Sequence, residues 1–257
     1  MKKIGIIGGL AWLSTVDYYK GLCAKTNEHY RRKGAMPPYP TPHILLESLN
    51  ISEMRTLRGR DGDETSWELY DRTFREAFER LREAGAEFGV IASNTPHMRL
   101  NSITTGLDFP VVSILDATAE AVRAQHATRA LILGTPVTMR SPVYPDTLRQ
   151  YGIEALPRLN DERVIELERT IDILQQLIDS ELCRGEIAEA RQQILRLSRE
   201  SLYDGSNDVV CLACTELPLA FPEHREAAYF ETDGIRFVNT AVVHIEAVLR
   251  EAFAEAS

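Results

Sequence analysis

The chain is predicted to be an α/β protein built on parallel strands, and three observations carry that expectation. Short apolar runs alternate with longer amphipathic segments along its 257 residues. The runs are continuous rather than alternating, as strands covered by helices on both faces should be. The third observation is a matched pair of runs far apart in the chain, Val90-Ile91-Ala92-Ser93-Asn94-Thr95 and Val210-Cys211-Leu212-Ala213-Cys214-Thr215-Glu216. Each reads as a buried strand ending on a small nucleophilic side chain followed by polar groups. Ligands of such folds sit beyond the carboxyl ends of the strands. Two related strand ends could therefore face one substrate from opposite sides, removing a proton from one face of a carbon and returning one to the other.

In order, residues 4–8 form the first strand. A helix follows over 14–31, with Val16, Tyr19, Leu22 and Cys23 among its apolar positions. A proline-rich loop covers 34–42 and a second strand 43–48. A long helix over 64–84 is ended by Gly85. Strands follow at 88–92 and 109–114, a helix at 118–125, and a strand at 129–133 that ends on Gly134-Thr135. A second cycle has a helix at 142–151, a short strand at 153–156, and helices at 161–182 and 187–202. It then turns through Asp204-Gly205 into a strand at 209–213. The last helix covers 240–253. These elements divide into a first α/β domain (1–117), a second (118–222) and a segment (223–257) returning to the first. The Cys214 loop would then lie beside a crevice between the domains.

Composition narrows the function classes. Hydrophobic residues make up 44% of the chain, enough for a substantial core. The formal charge of −9 argues against nucleic acid as a partner, but not against a small anionic substrate. No apolar run reaches membrane-spanning length. The opening Met1-Lys2-Lys3-Ile4-Gly5-Ile6-Ile7-Gly8-Gly9-Leu10 is broken by glycines and runs into Trp12-Leu13-Ser14-Thr15, so a strand and turn fit better than an export signal. The cysteines at 23, 183, 211 and 214 make no zinc-like framework. Cys211 and Cys214 have the two-residue redox spacing, but no helix clearly starts at Cys211. Free thiols in a cytoplasmic protein, with no metal, are expected.

Abstracting a proton beside a carboxylate needs a positioned base and stabilisation of the developing charge. Cys214, at a strand end, fits a thiolate base, or else a small buried hydrophobe. Ser93 reads as a proton-transfer group, a ligand contact, or a turn former. His97, four residues later, could share its helical face. Asn94, Thr95 and Thr215 suit carboxylate binding, and Glu216 suits orientation of an amino group or of its loop. The complete dinucleotide glycine fingerprint is absent, yet the Gly8-Gly9 turn, feeding a helix start, could hold a carboxylate. There Ser14 and Thr15 cap the helix or touch the ligand. Thr135 and Thr138 could do the same after Gly134. Trp12 lines a pocket or fills core. His244 reaches Cys214 or packs.

The combination of these pieces, in this order, resembles the aspartate/glutamate racemases. It rests on Gly8-Gly9-Leu10-Ala11-Trp12-Leu13-Ser14-Thr15 with Tyr18-Tyr19, on Ser93-Asn94-Thr95-Pro96-His97, and on Asp116-Ala117-Thr118. It continues through Leu133-Gly134-Thr135 with Thr138-Met139, Cys214-Thr215-Glu216-Leu217-Pro218, Asn239-Thr240 and His244. The resemblance implies two similar parallel-sheet α/β domains related by a pseudo-twofold axis, with the active site in the interdomain cleft. It also implies a homodimer and amino-acid racemisation without pyridoxal phosphate or any other cofactor. Two opposed cysteines serve as bases in that family. One corresponds to Cys214, the other to Ser93. An acidic residue is common where Leu13 stands, histidine at Ser113, arginine at Pro136 and aspartate at Asn239. Losing the arginine removes a bidentate grip on a carboxylate. The changes point to a site rebuilt for another side chain, or to one without turnover. Decarboxylation or cis-trans isomerisation of a small dicarboxylate by a single cysteine, and binding of a small acid without catalysis, are the competing readings.

Overall fold

The structure is a computed structural model that describes residues 1–60, 62–176, 184–202 and 207–254. The chain divides into two compact units, Met1–Ser113 with Ile245–Ser257, and Ile114–His244. Both are α/β with parallel sheets, as expected.

In the first unit, β1 (Ile4–Gly8) is the middle strand of the order β2-β1-β3, flanked in parallel by β2 (Ile44–Ser48) and β3 (Phe88–Ile91). Every residue of β1 and β3 is buried, which explains their continuous apolar sequence. Helix α1 (Trp12–Arg32) buries Ser14, Tyr18, Leu22 and Thr26, spaced four apart. Of the expected apolar positions Leu22 is buried, whereas Val16 and Tyr19 are exposed, and the buried seam also takes in the polar Ser14 and Thr26. The Ser14 hydroxyl explains this locally, because its hydrogen bonds are made inside to backbone carbonyls. A short helix, α2 (Ile51–Thr56), follows β2.

The helix expected over 64–84 is divided. A 3₁₀ turn (Glu64–Trp67), capped by Asp63, precedes α3 (Glu68–Glu83). That helix buries Tyr70, Phe74, Ala77, Phe78 and Leu81 at helical spacing. After β3 come a 3₁₀ turn (Thr95–Arg99) and α4 (Leu100–Thr104). The strand expected over 109–114 is a single bridge, Gly89 to Val111. Pro110 has no N–H to extend a ladder, and helix α5 (Ile114–Ala124) begins where the strand would have ended.

The second unit has the order β5-β4-β6-β8-β7. Strand β4 (Arg129–Gly134) pairs in parallel with β5 (Glu154–Ala155) and β6 (Asp208–Ala213). Between β4 and β5 lie α6 (Pro136–Arg140) and α7 (Val143–Gln150). Helices α8 (Asp161–Gln176) and α9 (Arg184–Ser201) lead to β6. The remainder of the helix expected to residue 182, Cys183, and the Asp204-Gly205 turn lie outside the described residues.

The segment expected to return whole to the first domain is split. Strands β7 (Tyr229–Thr232) and β8 (Ile235–Asn239) form an antiparallel hairpin, and β8 pairs in parallel with β6. The chain groups with the first unit again only from Ile245, within α10 (Thr240–Phe253). The hairpin turn is Asp233-Gly234, both at positive φ (52° and 73°), a type I′ signature that the sequence displayed between two β-rich runs. Phe221, Phe230 and Phe237 pack together behind it, with ring centroids 5.0–5.2 Å apart.

Candidate active site

In each unit, considered by itself, the candidate residues lie at the carboxyl ends of neighbouring parallel strands. In the first unit, β1 ends at Gly8 and the chain reverses through Gly9. The Gly9 φ is +80°, and a Cβ there would lie 2.1 Å from the Leu49 carbonyl oxygen, so only glycine fits. Thr15 Oγ1 accepts the Gly9 N–H at 2.9 Å and fixes the turn. Ser14 Oγ lies 2.7 Å from the Ala92 carbonyl and 2.9 Å from that of Ala11, tying α1 to the residue before Ser93. Both hydroxyls thus hold the backbone that presents the site. Trp12, the first residue of α1, is exposed.

The register gives Ser93 its position. The β1–β3 pairing reaches Ile7 opposite Ile91, and the Ala92 N–H continues it to the Ile7 carbonyl at 2.9 Å. Ala92 therefore stands opposite Gly8, with Ser93 one residue beyond. Between Ile91 and His97, Ser93 alone is more than marginally accessible. Its N–H is turned back onto the Ile91 carbonyl at 2.8 Å. Asn94 and Thr95 follow, buried, at the start of the 3₁₀ turn. His97 is fully buried, and its Nδ1 donates to the Ser93 carbonyl at 2.8 Å. The imidazole therefore secures the Ser93 main chain through Nδ1, whereas the sequence suggested a contact to the hydroxyl. This contact puts the proton of a neutral ring on Nδ1.

The second unit repeats the plan. The β4–β6 register ends with Gly134 opposite Ala213, and Cys214 is one residue beyond. A Cβ on Gly134 would lie 2.6 Å from the Ala213 carbonyl oxygen. Thr135 caps α6, accepting the Thr138 N–H at 3.4 Å, and the two hydroxyls are 3.1 Å apart. Within its own sheet, each of Ser93 and Cys214 follows the residue that faces the glycine ending the first strand.

Cys214 is 5% exposed and Glu216 4%. The Cys214 thiol donates to Glu216 Oε2 at 2.8 Å, and Thr215 Oγ1 donates to the same oxygen at 3.2 Å. Glu216 thus faces the thiol, a contact that two residues' separation in sequence did not reveal. Cys211 differs. It lies within β6 among Leu148, Val209 and Val238, and burial pushes its thiol up to about 12. His244 is fully buried on α10.

Asn239 and Thr240 also support this half. Thr240 Oγ1 donates to the Leu212 carbonyl at 2.8 Å, just before Cys214. Asn239 Oδ1 accepts the Val242 N–H at 3.4 Å, while its Nδ2 donates to the Arg225 carbonyl at 3.0 Å. A carboxylate could make the first contact but not the second. The Asp233-Gly234 turn signal would have located Asn239 at the end of a strand beside β6.

The model of the Asp/Glu/hydantoin racemase family matches residues 7–248. The chain belongs to this family. It is 26% identical over 153 residues to the broad specificity amino-acid racemase RacX of Bacillus subtilis, covering 60% of this chain and 63% of that one, so the match spans less than two thirds of the relative. The crystal structure of an aspartate racemase homologue from Pyrococcus horikoshii matches 99% of this chain and 100% of its own, at 31% identity and a TM-score of 0.70. An arylmalonate decarboxylase mutant shares the fold at 14% identity and a TM-score of 0.55, over 100% of this chain and 94% of that one. The two-domain α/β fold of the family is thereby established.

Proposed function

We propose that the protein is a cofactor-independent racemase or epimerase of an amino acid, acting by proton transfer at the α-carbon. The observation that carries this reading is the shared register position of Ser93 and Cys214, each just beyond the carboxyl end of its strand, where ligands of such folds sit. Cys214 takes the α-proton on its face and Ser93 donates on the other. A neutral hydroxyl is a poor base without an acceptor for its own proton, so the two directions should be unequal. Asn94, Thr95, Thr215 and the Gly9 and Thr135 turns hold the carboxylate. A small carboxylate-bearing substrate, a homodimer and a cytoplasmic setting complete the reading.

The second reading is a one-cysteine decarboxylase or isomerase of a small dicarboxylate. A hydroxyl at residue 93 favours it, and the fold shared with an arylmalonate decarboxylase makes it specific. One scaffold hosts several chemistries.

Exchange of the α-proton in deuterated water, followed by NMR over a panel of L- and D-amino acids, separates these readings. Exchange with inversion, abolished in Cys214→Ala and reduced about 10²-fold in Ser93→Ala, is expected. Exchange without inversion would make the site one-based. No exchange across the panel, with loss of carbon dioxide from a malonate, would replace racemisation by decarboxylation.

A further inference from the structure

We propose that Arg99 and Asp71 are positioning residues for Ser93, their ion pair fixing the turn that aims the Ser93 hydroxyl as a proton donor. This rests on the racemase-type reading of Ser93 and adds two residues to it. Arg99 ends the 3₁₀ turn that opens at Thr95, just after Ser93 and Asn94. Its Nη2 and Nε donate to the two carboxylate oxygens of Asp71 at 2.6 and 3.2 Å, a fork in which the side chains are only 14% and 8% exposed. Nη1 reaches Glu64 at 2.7 Å, and the guanidinium carbon stands 5.2 Å from the centre of the Trp67 ring. A largely buried ion pair adds little net stability over apolar packing, whereas a fork fixes direction as well as distance.

The contacts close a ring on the first sheet. A Cβ on Gly89 would lie 2.5 Å from the Phe78 ring, so α3 is seated directly on β3. Asp71 lies on the same helix, about two turns before Phe78. From Arg99 the chain is bonded back towards Ser93. The Leu100 N–H returns to the His97 carbonyl, the His97 N–H to the Asn94 carbonyl at 3.0 Å, and His97 Nδ1 to the Ser93 carbonyl at 2.8 Å. The Ser93 N–H meets the Ile91 carbonyl at 2.8 Å, back in β3. A path from β3 through Ser93, the turn, Arg99 and Asp71 therefore returns to β3 by way of α3. A neutral hydroxyl has no charge to draw it to a substrate, so its donation depends on how firmly it is held.

Helix α3 makes a second grip outside this ring. Arg75, one turn after Asp71, donates to the Ser102 and Ile103 carbonyls of α4 at 2.6 and 3.0 Å. It joins the same two segments without bearing on the turn, and so provides the control.

The experiment reads α-proton exchange in deuterated water together with inversion. Asp71→Asn keeps the shape of the carboxylate without its charge, and Arg99→Lys keeps the charge without the fork. In each, inversion of the enantiomer whose proton Cys214 removes should fall about 10-fold or more, while exchange of that proton stays within about threefold of the parent. A purely structural loss would lower both together. Arg75→Met should lower the melting temperature and leave the ratio of inversion to exchange at the parent value. An unchanged ratio in the pair variants, or an equal fall in Arg75→Met, would overturn the proposal. If Asp71→Asn does not fold, Arg99→Lys decides by the same ratio. A parent that exchanges without inverting overturns the proposal too, since Ser93 then donates nothing. A parent that exchanges nothing in the panel defeats the racemase reading alone, because amide exchange then decides the pair. The His97 and Leu100 amides should exchange faster in both variants while that of Ala92 does not change, and unaltered protection in the turn would overturn the proposal.

Discussion

Cys211 and Cys214 stand three residues apart and meet different environments. Side chains of one strand alternate between faces, so Cys211 enters the core while Cys214, just past the last paired residue, reaches the strand end. The sequence showed both cysteines and the strand, but only the register distinguishes them. Gly9 is a similar case. The Gly8-Gly9 dipeptide announced a turn, but not the Leu49 carbonyl that excludes a side chain from it. Gly9→Ala should destabilise the protein by about 2–4 kcal/mol, from positive-φ strain and the clash together. Gly34→Ala provides the comparison, since Gly34 also has positive φ (+76°) but nothing within 4 Å. It should cost only about 1 kcal/mol. Chemical denaturation of both variants measures the difference, and equal losses would show that the Leu49 contact is relieved cheaply.

Between elements, α8 and α9 are joined by a charged cluster. Glu166 bonds Arg196, which also reaches Glu200 at 2.9 Å, and Arg163 lies 3.0 Å from Glu166. The Arg196 guanidinium holds the Glu166 carboxyl down at about 2, with Arg163 assisting against the opposing effect of burial. A carboxyl lowered on folding stabilises the native state above its unfolded value, near 4.5, and that contribution fades as pH falls towards 2. Glu166→Gln should therefore melt below the parent at pH 7, with the gap closing by about pH 2. Melting curves across that range test the sign, and added salt should narrow the gap because the groups are partly exposed. The helices themselves were legible from periodicity. The cluster was not, since it depends on which faces of α8 and α9 meet.

For the whole molecule, α10 matters beyond its length. Its later turns belong to the first unit. The Lys2 N–H reaches the Ala252 carbonyl at 2.8 Å, Lys2 Nζ pairs with Glu251 at 2.6 Å, and Lys25 pairs with Glu246 at 2.7 Å. Ile245 packs where a Cβ on Gly21 would lie 3.0 Å away. A chain ending at His244 should lose amide-exchange protection in β1 and β3 while β4 and β6 retain theirs. Equal protection in both sheets would show that the first unit does not need the helix.

By itself, the sequence determined the parallel α/β class, most strands, and the two strand ends bearing Ser93 and Cys214. These are local properties, since a strand buried on both faces must be continuously apolar and its exit needs small residues. The single bridge at Val111, the polar residues in the buried seam of α1, the place of the β7–β8 hairpin and the turning of Glu216 onto Cys214 were decided by tertiary structure. Each depends on a partner distant in sequence or on the direction a side chain takes once the backbone is fixed, and neither is encoded in the spacing of residue types.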